Sequence, residues 1–174
     1  MYKTIKESYN PNFEPKKWNS NKFLRLSHNC YSYFLNDISH TLTNLYKNED
    51  NKDRQILNPQ PGHYCGMTKY VNYKDTTCES LNKRLLCDNP HIKIISENET
   101  CDENYYKGAL RINEGEMYHF YRQDSDGLWS HKDGGKKVTR VDQGGNIIED
   151  PKRIKQSKYK DFCNYYCIPK NKYK

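Results

Sequence analysis

No run of about 18 consecutive apolar residues occurs in this sequence, which excludes a membrane-spanning helix. The opening residues MYKTIKESYNPNFEPKKW contain no apolar h-region, so the expectation is a chain without a secretory signal. No Cys-x-x-Cys pair is present, which removes the usual zinc-ribbon and thioredoxin signatures. There is no internal repeat, no named nucleic-acid-binding module and no Arg-rich helix. Hydrophobic residues are also scarce: 34% of the chain, with a mean hydropathy of −1.18 and a net charge of +7. That balance alone leans toward disorder.

The residues that are present argue otherwise. Sixteen Tyr, five Phe and two Trp make a composition that disordered chains avoid. A tyrosine buries a large ring while scoring as only weakly hydrophobic. The expectation is one compact domain with an aromatic core, since 174 residues suit one domain better than two. Residues 1–22 read as a polar N-terminal arm, 23–169 as the domain with an insertion at about 47–75, and 170–174 as a basic tail.

The charge is spread over 29 basic and 22 acidic residues, with small clusters at Lys16-Lys17, Lys136-Lys137, Lys152 to Lys160 and Lys170 to Lys174. Without a recognition module this reads as a solvated Lys-rich surface, and not as a nucleic-acid footprint. Seven cysteines leave at least one thiol unpaired. In the absence of a visible signal, reduced thiols are expected, in a cytoplasmic or virion setting. Cys163 and Cys167 share a strand, about 13 Å apart, too far to pair with each other. A single N-glycosylation sequon is present at Asn98-Glu99-Thr100.

Along the chain, Tyr31, Phe34, Leu35 and Ile38 fall at i, i+3, i+4 and i+7, one face of a helix, with Ser27 or Asn29 as its cap. Cys30 then lies in the first turn. Residues 47–75 read as loop, with a turn at Pro59-Gln60-Pro61-Gly62. Thr76-Thr77-Cys78-Glu79 reads as a capping box opening a second helix, which Asn89-Pro90 stops. Short β-branched and aromatic segments follow at His91–Ile95, Tyr105–Ile112, Met117–Gln123, Leu128–Lys132, Val138–Val141 and about Phe162–Ile168. Two helices followed by an antiparallel meander define an α+β fold.

Cys30 is the candidate nucleophile, because unpaired N–H groups in a first helical turn favour the thiolate and can hold an oxyanion. Its base must come from elsewhere, and His119 and His131 lie in one hairpin that turns near Asp124 to Gly127. With a three-residue loop at Ser125 to Gly127, Tyr121 faces His131 and His119 is one diagonal step away on the same face. Centring the loop on Ser125 instead sets His119 opposite His131. Either register assembles a nucleophile–base–orienter set. Of the other histidines, His28 reads as a loop residue, its place two residues before Cys30 offering modulation of the thiol as the alternative. A zinc site of Cys30, His119 and His131 lacks compact ligand spacing, and no cofactor is implied.

These residues resemble the papain-like thiol hydrolases of the NlpC/P60 and CHAP type in order and layout. Asn29-Cys30-Tyr31 stands at a helix start, His119 lies in Tyr118-His119-Phe120-Tyr121, and a third polar residue, His131, lies in Trp129-Ser130-His131-Lys132. Gln60-Pro61-Gly62, Phe120-Tyr121-Arg122-Gln123, Ile148-Glu149-Asp150-Pro151 and Phe162-Cys163 extend the likeness to a little-described group of bacterial and large-DNA-virus proteins. The sequence departs from that family in having Asn-Cys-Tyr-Ser in place of Asp-Cys-Ser-Gly, and in its long insertion. The resemblance implies a cysteine-bearing helix packed on an antiparallel sheet. It implies amide hydrolysis with Cys30 attacking, His119 moving the proton and His131 orienting it, Asp142 and Asn146 being the fallback orienters. The substrate would be a peptidoglycan-type peptide or, alternatively, an isopeptide-linked protein. A non-catalytic binding or virion structural protein is the reading from another class.

Overall fold

The computed structural model describes residues 9–48, 58–67 and 71–171. Six strands, β1 (Lys93–Ile95), β2 (Tyr105–Asn113), β3 (Met117–Gln123), β4 (Trp129–Lys132), β5 (Val138–Thr139) and β6 (Asp161–Pro169), form one antiparallel sheet in the order β1-β6-β2-β3-β4-β5. Each lies where the sequence pattern placed a strand, with ends shifted by a few residues. The α+β class expected from the pattern is therefore observed. β6 enters between β1 and β2, so that Tyr166 is opposite Ile94 on one side and Gly108 on the other.

Alternation along the strands creates two aromatic-rich faces. Tyr106, Leu110 and Ile112 of β2, Phe120 of β3, and Tyr166 and Ile168 of β6 pack against Tyr31, Phe34, Leu35, Leu81 and Leu85. These partners belong to or adjoin two helices, α3 (Cys30–Phe34) and α5 (Cys78–Asp88). The other face carries Ala109, Tyr121, Trp129 and Tyr165, covered by Ile148 and Ile154 of the segment returning toward β6. Burying each such ring stabilises by about 1.5–3 kcal/mol, which explains how so polar a chain holds a core.

Local chemistry sets the helix ends. Asn29 caps α3, its Oδ1 accepting the N–H groups of Tyr31 and Ser32, both at 3.1 Å. The helix is shorter than the 30–38 periodicity suggests. Asn36 takes φ 50°, with Asn36 N–H donating to Tyr33 O and Asp37 N–H to Ser32 O, a Schellman-type stop. Ile38 consequently joins a separate cluster with Trp18, Leu24, Tyr33 and Val138. α5 begins one residue later than the expected capping box. Thr77 accepts the Ser80 N–H, while Thr76 donates to Asn72 O.

Three helices were not legible from periodicity: α1 (Pro15–Asn19), α2 (Lys22–Ser27) and α4 (His40–Asn48). Residues 15–22, expected as part of an irregular arm, are thus largely helical. Trp18 is buried with its ring edge-on to His28 and Tyr33. Of the insertion at 47–75, residues 49–57 and 68–70 lie outside the described residues, as do 1–8 of the arm and 172–174 of the tail. The described part is tied down by Asp88, which accepts from Gly62 N–H at 2.7 Å and Cys65 N–H at 2.9 Å.

The expected reduced thiols are not what the fold contains. Cys65–Cys87, Cys78–Cys163 and Cys101–Cys167 are disulfides, and Cys30 is the free cysteine. Cys163 and Cys167 each pair with a distant partner, as their separation on β6 requires. The Cys78–Cys163 bridge spans 85 residues, and a loop of that size is worth about 4–5 kcal/mol in the chain-entropy account. Thiol titration of the denatured, unreduced chain should give one thiol, and seven would contradict this framework. Gly108 supplies a second check, since a Cβ there would overlap the Phe34 ring and Ile168. Gly108→Ala should lower unfolding stability by about 1–3 kcal/mol in denaturant titration.

Candidate active site

The hairpin between β3 and β4 adopts the odd-length loop. Asp124 N–H donates to Leu128 O, Gly127 takes φ 86°, and Tyr121 is opposite His131. His119 and His131 therefore share a face, and His119 Nε2 lies 2.8 Å from His131 Nδ1. His131 Nε2 lies 2.9 Å from Val141 O. A carbonyl can only accept, so His131 carries its proton on Nε2 and accepts at Nδ1. His119 then donates from Nε2, which leaves the lone pair of the neutral ring on Nδ1. The chain Val141–His131–His119 thus fixes both the orientation and the tautomer of the His119 ring.

Tyr159 covers that imidazole, its ring stacked on His119 at 4.6 Å and 8°. Tyr159 is held by Arg111, which lies opposite His119 in the β2–β3 register. The buried guanidinium donates to the carbonyls of Tyr159 at 2.8 Å, Pro151 at 2.7 Å, Lys152 at 3.3 Å and Lys160 at 2.8 Å. Four backbone acceptors of an irregular segment are thereby satisfied by one side chain.

Cys30 and His119 line one cleft of about 300 Å³, together with Asn29, Gln60, Tyr118 and Tyr159. Glu116 and Asp133 are its acidic members. Tyr118 donates to Gln60 Oε1, leaving the amide NH2 as the donor end of that side chain. Asn58, also lining the cleft, has a buried Oδ1 without a hydrogen-bond partner among the described residues. An unmatched acceptor of this kind suits a ligand N–H. Among the described residues no hydrogen bond joins the Cys30 sulfur to either imidazole.

Electrostatics correct one expectation. Burial pushes the Cys30 thiol up to about 11, against the Phe120 and Tyr31 N–H groups, which pull it down. The helix start does not supply a ready thiolate, because burial outweighs the pull of these N–H groups. His119 is held well below its ordinary value by burial and then by His131, and His131 is lowered by burial. The cleft thus holds a neutral thiol and a neutral imidazole, a state compatible with general-base proton removal during attack.

Sequence reasoning did not single out Lys132, Asp133 or Tyr159. Lys132 is fully buried and donates to Arg25 O at 2.6 Å, Gly134 O at 2.6 Å and His28 O. It ties the chain entering Cys30 to the end of β4, and burial lowers it to about 7. The alternation of a strand and the Ser-His-Lys-Asp order place Lys132 and Asp133 near His131, but nothing in the sequence says which carbonyls they meet. His28 is tied into the backbone on both ring nitrogens: its Nε2 accepts Ser39 N–H at 2.9 Å, and Nδ1 lies 2.9 Å from Leu24 O. Asp142 accepts from Gly144 and Asn146 N–H groups in an exposed turn, so His131 and not the fallback pair meets His119.

No family model matches the chain, and no solved structure does. Among curated proteins, Insoluble matrix shell protein 1 of Ruditapes philippinarum is 28% identical over 154 residues, covering 88% of this chain and 86% of that protein. No helix among the described residues is long and apolar enough to cross a membrane.

The buried imidazoles carry a pH signature. His28, His119 and His131 are all lowered from 6.5. The unfolded chain therefore takes up protons that the folded one refuses, so stability is full above about pH 6.5 and falls as pH drops below it. Denaturant unfolding at about pH 7.5 and about pH 5 should show this loss, and His131→Gln should flatten the slope. An unchanged slope in that variant would remove His131 from the account.

Proposed function

We propose that the chain is a papain-like thiol hydrolase of the NlpC/P60 type, cleaving an amide bond with Cys30 as nucleophile, His119 as base and His131 as orienter. The observation that carries this reading is the directed hydrogen-bond chain from Val141 through His131 to His119, ending in the cleft that Cys30 lines. Cys30 Sγ attacks the carbonyl carbon as its proton passes to His119 Nδ1. His119 returns that proton to the departing amine, and water then hydrolyses the thioester. The Cys30 backbone N–H and the Gln60 amide are donors suited to the oxyanion. Asn58 Oδ1 is an acceptor for a substrate amide N–H.

Three disulfides favour a substrate met outside a reducing compartment. That supports a peptidoglycan-type peptide ahead of an intracellular isopeptide-linked protein. A second reading, a non-catalytic matrix component, is favoured by the likeness to an insoluble matrix shell protein and by the burial of Cys30 to 7% exposure.

Purified chain incubated with muropeptides and with an isopeptide-linked protein substrate should release a new amine in one of the two. Cys30→Ala should lower the rate at least about a thousandfold, and His131→Phe by about ten- to a thousandfold, with the fold unchanged by circular dichroism. No product from the native chain in either assay would reject the hydrolase and leave the matrix reading.

A further inference from the structure

We propose that Asn98 is an N-glycosylation site, carrying an asparagine-linked oligosaccharide. This does not depend on the hydrolase reading. Asn98-Glu99-Thr100 is the one Asn-x-Ser/Thr triplet in the sequence, and its middle residue is not proline. A triplet alone says little, but its setting in the fold supplies what modification needs.

First, the acceptor is presented. Asn98 and Thr100 are exposed in the turn joining β1 to β2. The turn around them is fixed: Glu99 N–H donates to Ser96 O at 3.3 Å, and Ser96 N–H to the Glu99 carboxylate at 2.5 Å. Lys107 Nζ donates to Glu97 O at 2.9 Å and Glu99 O at 3.0 Å. The Glu97 carboxylate pairs with Lys152 and Arg153. Asn98 sits between two residues anchored to the body of the domain, outside the core clusters and the Cys30 cleft, so a bulky group costs no packing.

Second, the compartment fits. Six cysteines are paired across the chain, one of them Cys101, which follows Thr100 directly. Disulfides of this kind form in an oxidising secretory environment, where oligosaccharide is transferred to exposed asparagines. In the transfer, Asn98 Nδ2 forms a bond to the anomeric carbon of a lipid-diphosphate-linked oligosaccharide. The lipid diphosphate leaves and the amide nitrogen loses one proton.

Third, the position has a use. Among the described residues β1 is an edge strand, paired with β6 alone, and Ile94 on it is 44% exposed. Unpaired edges invite pairing with other chains. An oligosaccharide three residues beyond Ile95 would crowd the approach of another chain to that edge.

The test is the intact mass of the full chain, directed by a fused leader into the secretory pathway of a eukaryotic host, before and after peptide-N-glycosidase. The expected result is a mass above that of the 20.8 kDa polypeptide, returning to it on digestion. Asn98→Gln and Thr100→Ala should lose the increment, and Thr100→Ser should keep it. Tandem mass spectrometry of the peptide containing Cys101 reads the site on the native chain, so poor secretion of a variant does not blunt the test. A secreted, disulfide-bonded chain at bare polypeptide mass overturns the proposal. So does an increment that persists in Asn98→Gln.

Discussion

The candidate site depends on the parity of one hairpin loop. Side chains alternate across a strand, so a loop of even length between β3 and β4 would send His119 and His131 to opposite faces. The odd loop is enforced from below by a buried charge network. Asp124, fully buried, accepts from Ser130 Oγ at 2.9 Å and from Arg140 Nε at 3.0 Å, and pairs with Arg122. Arg122 in turn lies on the Tyr33 ring at 4.1 Å and donates to its hydroxyl. The turn that aligns the imidazoles is thus bolted to the helix that begins with Cys30.

The same economy explains the basic composition. Arg111, Arg122 and Lys132 are all buried, and two of them spend their donors on backbone carbonyls of segments that form no ladder. Arg111 holds the stretch around Tyr159, and Lys132 holds the stretch before Cys30. A buried cation is costly unless its hydrogens are engaged. Here the engagement ties together segments that do not pair with the sheet. Part of the charge that makes the sequence look too polar to fold is therefore internal.

How much was legible follows from which signals are local. The strands, the face shared by the two histidines and the start of the Cys30 helix rest on alternation and on an Asn cap, and these survive in sequence, while the choice between two hairpin registers did not. The cap of α5 was misplaced by one residue because Thr76 and Thr77 offer the same chemistry, and only packing chooses between them. α1 and α2 are too short to show a period, and Trp18 is buried through tertiary contacts with His28 and Tyr33. The disulfides were missed because their partners are 22, 66 and 85 residues apart, distances at which spacing carries no information. The histidine pair was legible and the resting state of the thiol was not. Burial outweighs the helix start, and burial belongs to the whole fold.

The placement of β6 has a consequence for the order of events during synthesis. The strand made last of the six sits one place in from the edge of the sheet, with β1 on one side and β2 on the other. A ribosome delivers residues from the N-terminal side first, so β1 and β2 emerge with a gap between them that stays empty until residues 161–169 follow. Cys78 and Cys101 emerge long before Cys163 and Cys167 and must stay open while Cys65 and Cys87 close locally. Until the last strand arrives, the nascent chain holds two waiting thiols beside an unfilled sheet. It therefore needs an isomerase and a shielded environment more than its small size suggests.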